Sequence, residues 1–159
     1  MGTSFVTLES KAAGEASGPD GGTGFWVNDS LLALVLRLLT LHIPEPAPGP
    51  EGEVVKAIRE RWLLASGESF PGCVPHGLEE IAKNQYGLAV AKSAVASLIG
   101  TLERTPRLHG SIFPLLGLGA PAGRDIEPAE LKDILQQLAN LLDERDSDGR
   151  SPRRTPIRA

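Results

Sequence analysis

The run "LLALVLRLLTLH", residues 31–42, decides the fold. It is apolar nearly all the way round, interrupted only by Arg37 and Thr40 before it closes on His42. A helix that spans a bilayer needs about 20 consecutive apolar residues. This run offers roughly two-thirds of that length, is closed by Asp29 and Pro44, and carries Arg37 in its middle. It therefore reads as a buried core helix. Asn28, Asp29 and Ser30 stand directly before it, and all three are residue types suited to cap a helix start. A helix that is apolar on every side must be wrapped by other elements, so the rest of the chain has to supply them.

The segments on either side do so at helical spacing. In "EVVKAIRERWLLAS", residues 53–66, Val54, Val55, Ile58, Trp62 and Leu63 stack on one face, with Lys56, Arg59 and Glu60 opposite. In "DIEPAELKDILQQLANLLDERD", residues 125–146, Pro128 opens the helix, and Leu131, Ile134, Leu135, Leu138, Leu141 and Leu142 recur every three or four positions. Between them lies the longest segment, residues 77–105, where Ile81, Leu88, Val95 and Leu102 recur every seven residues as a seam suited to meet another helix. Gly87 weakens its middle by about 1 kcal/mol relative to Ala, so a kink, a break or a closely packed neighbour is expected there. Residues 43–52, "IPEPAPGPEG", are read as a non-helical connector, and a short turn is expected around Ile112–Leu116.

The chain is 41% apolar but only 4% aromatic, so its core must come from Leu, Val, Ile and Ala. No strand is credible on these patterns. The expected fold is all-α, a small helical bundle of about four main helices with disordered N- and C-terminal tails. Residues 1–24 are expected as a flexible leader, 25–146 as a single helical domain and 147–159 as a disordered basic tail.

Charge excludes some functions. Of the 16 Lys/Arg and 20 Asp/Glu, residues 28–146 hold eleven and sixteen, a net −5, whereas residues 147–159 hold four arginines against Asp148, a net +3. An acidic body without interleaved aromatic and basic side chains does not suit nucleic acid. The single cysteine favours a reducing, cytoplasmic setting. The N-terminal residues lack the basic-then-apolar order of a signal peptide, and Val6 stands where a myristoylation pattern needs Ser or Thr.

Candidate chemistry centres on "ESFPGCVPHGLEE", residues 68–80, where Cys73 precedes His76 by three positions. A thiol nucleophile needs a base within reach, and His76 or His109 is the candidate. A zinc site needs about four ligands, and His42, His76, His109 and Cys73 have no zinc spacing, so no metal and no cofactor are expected. The run from Glu144 to Thr155 departs from a calcium loop at its first, ninth and twelfth positions. Neither a phosphate-binding loop nor a hydrolase elbow is present.

Without a catalytic set, the sequence reads as a soluble helical module that binds another protein as regulator, adaptor, inhibitor or neutralising partner. Apolar helix faces and the acidic surface would carry the contact. Arg37 and the seam residues Ile81, Leu88, Val95 and Leu102 are its candidate binding residues, and a basic partner surface or a second copy of the chain its candidate partners. The alternative is a small cysteine-dependent enzyme using Cys73 with His76 or His109. No membrane association is expected.

Overall fold

The computed structural model describes residues 2–8, 23–67, 70–118 and 125–150. In chain order the elements are β1 (Thr3–Thr7), β2 (Gly24–Asn28), α1 (Asp29–Thr40), α2 (Pro50–Gly67), α3 (Leu78–Ile81), α4 (Gln85–Glu103), α5 (Ile112–Leu115) and α6 (Pro128–Arg150). The architecture is mostly helical, as periodicity implies, but it is not all-α.

α1 forms where expected and is the centre of the core. Asn28 caps it, its side chain accepting from the Ser30 and Leu31 amides at 3.0 and 3.3 Å. Leu32, Leu34, Val35, Leu36, Leu38 and Leu39 are all buried, so nearly every side of the helix is covered. α2 lies along α1, α4 packs chiefly on α6, and α1 also meets α4 and α6. Among the described residues no helix is long and apolar enough to cross a membrane.

Three expectations need correction. First, β1 and β2 form an antiparallel ribbon in which Ser4 faces Val27, Phe5 faces Trp26 and Val6 faces Phe25. β1 lies inside the stretch expected to be a flexible leader, and residues 9–22 of that leader lie outside the described residues. The alternation of the pleat explains the pairing: Ser4, Val6 and Val27 point inward and are buried, while Thr3 and Trp26 face out. Second, α2 begins at Pro50, inside the connector expected to be non-helical. Proline fits the first helical position because the amide it lacks has no helical partner there. Gly52 follows, and a side chain in its place would run into the Ala47 carbonyl of the same connector.

Third, the long segment is two helices. α3 ends at Ile81 and α4 starts at Gln85, so the break falls just ahead of the weak point expected at Gly87. It is a capped helix start, in which the Asn84 side chain accepts from the Gly87 amide at 3.0 Å. Gly87 is needed bare, since a Cβ there would sit 2.9 Å from the Ile81 carbonyl. At the other end α6 runs to Arg150, into the expected tail, and residues 151–159 lie outside the described residues.

Candidate functional site

The connection from Phe70 to Leu78, which carries Cys73 and His76, is clamped from the opposite end of the chain. Asp29, in the first turn of α1, accepts from the Ser4 hydroxyl at 2.6 Å through Oδ1 and from the Gly72 amide at 2.8 Å through Oδ2. The Ser4 oxygen in turn accepts from the Val74 amide at 2.9 Å, and Ser4 is buried to 1% exposure. β1 is thus the strap that shapes the connection. From the other side, the Trp62 indole donates to the His76 carbonyl at 3.1 Å.

His76 is built into this clamp. Its Nδ1 accepts from the Leu78 amide at 3.2 Å, and the Phe5 backbone lies beside the ring. Burial is the strongest influence on the ring and holds its pKa below the usual histidine value, although Glu79, 3.5 Å from Nδ1, favours the charged form. A neutral ring also suits Nδ1 as an acceptor. His76 is buried and its Nδ1 is held by the Leu78 amide, so that nitrogen is not free to deprotonate a thiol. Cys73 is exposed at the turn, and no hydrogen bond joins it to His76 or His109 among the described residues.

His109 stands elsewhere and is exposed, 3.5 Å from Asp125. Asp125 accepts from the Gly110 amide at 3.0 Å, and that bond, with His109 and Arg107 beside it, holds the carboxyl below its usual range. His42 meets Ser97 at 2.8 Å, and burial lowers its pKa. Among the described residues no group of three or more His, Cys, Asp or Glu side chains is arranged to hold a metal ion.

The seam residues Ile81, Leu88, Val95 and Leu102 are all buried within the domain. A partner would meet other side chains first. Beside Ile81, α2 and α3 leave an open groove of about 180 Å³, lined by Val54, Ala57, Ile58 and Arg61 on one wall and Gly77, Glu80, Ile81 and Asn84 on the other. Gly77, at φ +65°, turns the chain into α3, and a Cβ there would press on the Arg61 side chain at 3.0 Å. Arg61 therefore lies across the bare glycine at the rim. Glu80, also at the rim, is held by Lys83 at 2.6 Å.

The groove is smaller than the roughly 300–1,000 Å³ of a typical small-molecule site. Its floor is apolar and its rim carries one charge of each sign, which suits a single apolar side chain. Sequence reasoning placed Val54 and Ile58 on the core-facing side of α2 and missed the groove. Ile58 is buried but Val54 only partly so, and nothing in the helical period tells where the neighbouring helix stops.

Arg37 is half-buried, with its Nε shielded from solvent and without a hydrogen-bond partner. No known family model, curated protein or solved structure matches this chain.

Proposed function

We propose that this chain is a protein-binding module, and that the groove between α2 and α3 receives an apolar side chain from its partner. The observation that carries the reading is the groove itself: an apolar floor of Val54, Ala57 and Ile81, open to solvent and flanked by Arg61 and Glu80. Interfaces concentrate their energy where a large side chain enters a desolvated pocket bordered by polar groups. The net −5 of residues 28–146 would steer a partner with a basic surface, in the cytoplasm or another reducing compartment. The thiol-enzyme alternative draws no support from His76, which is buried with its Nδ1 held by the Leu78 amide while Cys73 is exposed.

Ala57→Arg tests the reading, because Ala57 is exposed and the substitution fills the groove without entering the core. Affinity capture and sizing chromatography from the native host should return a species with the unmodified chain that is lost with the variant. Recovery of the same species by both chains, or of the bare monomer from both, overturns the proposal. Matching thermal unfolding of the two chains excludes misfolding as the cause.

A further inference from the structure

The described residues include two half-buried arginines, and they are treated differently. Arg59 has its Nη1 3.1 Å from both oxygens of Glu45, while its Nη2 donates to the Ile43 and Pro44 carbonyls at 3.1 and 3.3 Å. Arg37 has none of this. It projects from the apolar helix α1, and its Nε, like that of Arg59, is sealed from water without a partner. Unlike Arg59, its Nη groups have no hydrogen-bond partner among the described residues, and no carboxylate of those residues lies within ion-pair distance. Its Nη2 rests against Gly117, whose φ of +70° and missing side chain leave the guanidinium room: a Cβ there would sit 3.1 Å from Nη2.

A guanidinium kept partly out of water without a counter-ion is a net cost to the fold. The cost makes sense where the free Nη edge meets an anion that arrives from outside. The surroundings say what carries that anion. Leu41, one helical turn beyond Arg37, is 66% exposed, and Leu115, two residues before Gly117, is 85% exposed. An arginine set among exposed leucines has the composition of an interface anchor ringed by water-excluding contacts.

We propose that Arg37 is the receptor for a carboxylate presented by another protein chain, bound end-on through Nη1 and Nη2, with Leu41 and Leu115 packing on the apolar surface around it. The proposal rests on the reading of the chain as a binding module, but the site shares no residue with the groove. Ala57→Arg should leave it intact, so failure of the groove and failure of this site are separable.

The test follows the NMR signals of the side chain at position 37 and of the neighbouring Gly117 backbone amide in the full chain at constant ionic strength. The probes are sodium acetate, inorganic phosphate, a capped Leu-Glu-Leu tripeptide and its Leu-Gln-Leu counterpart. The expected result is a saturable shift with acetate and about tenfold tighter binding of the glutamyl peptide, none with the glutaminyl peptide, and weaker binding in Arg37→Lys, which keeps the charge without the fork. Arg37→Met should raise Tm by about 2–8 °C, because it removes a buried donor without a partner. Tighter binding of phosphate than of the glutamyl peptide, equal shifts with both peptides, or loss of stability in Arg37→Met overturns the proposal.

Discussion

Asp29→Ala attacks the clamp at its single shared acceptor. The carboxylate receives the Ser4 hydroxyl at 2.6 Å and the Gly72 amide at 2.8 Å, and it stands in the first turn of α1. A hydrogen bond to a charged group contributes about 1.5–3 kcal/mol, and the exposed bond to Gly72 belongs at the low end. The favourable position at a helix start adds about 0.3–1 kcal/mol. Because the Ser4 hydroxyl is buried, its donor loses an acceptor that water cannot readily replace. Together these predict a loss of about 3–5 kcal/mol, or about 6–20 °C in Tm for a chain of this size. Asp29→Asn, which keeps one acceptor, should lose about half as much. Urea unfolding measures the total, and hydrogen exchange locates it: the Gly72 and Val74 amides should lose protection before those of α4 and α6. A change below about 0.5 kcal/mol, with both amides still protected, would refute the clamp.

Two further predictions follow from the same neighbourhood. Burial holds the folded-state pKa of His76 below the unfolded value of about 6.5, so the unfolded chain takes up the proton first as pH falls. The stability it contributes is complete above about pH 6.5 and is lost as pH drops through the folded value. His76→Gln should be less stable at about pH 7.5 but show a smaller further loss at about pH 5.5, and equal slopes in urea titrations would contradict this. His42 acts in the same direction, so the slope should flatten only in part. Trp26 is 64% exposed and Trp62 fully buried, so Trp26→Phe should remove nearly all fluorescence quenching by iodide. Persistent quenching in that variant would show that Trp62 is not sealed.

What was legible in the chain was the part governed by local chemistry. α1 and its Asn28 cap, the burial of Val55, Ile58 and Trp62 on α2, and Pro128 opening α6 all follow from residues within a few positions of one another, although Leu63, expected on the same face of α2, is exposed. β1 was not legible, because "TSFVT" is five residues long and its partner lies beyond a Gly-rich segment. A five-residue alternation specifies a strand only once something pairs with it. Helix α4 starts where Asn84 can cap it, a signal overshadowed by the seven-residue apolar repeat running through the break. The sequence pattern also identified Arg37 and the Cys73–His76 segment as unusual without revealing their surroundings. Whether a guanidinium has a counter-ion, or an imidazole a free nitrogen, depends on residues far along the chain.

The Ser4–Val74 contact spans 70 positions. At roughly 5–20 residues per second, a ribosome that has made Ser4 needs about 3.5–14 s more to reach Val74. Through that interval the buried Ser4 oxygen lacks this amide donor. This strand therefore gains its tie to Val74 late in synthesis, whereas its tie to Asp29 can form as soon as α1 begins.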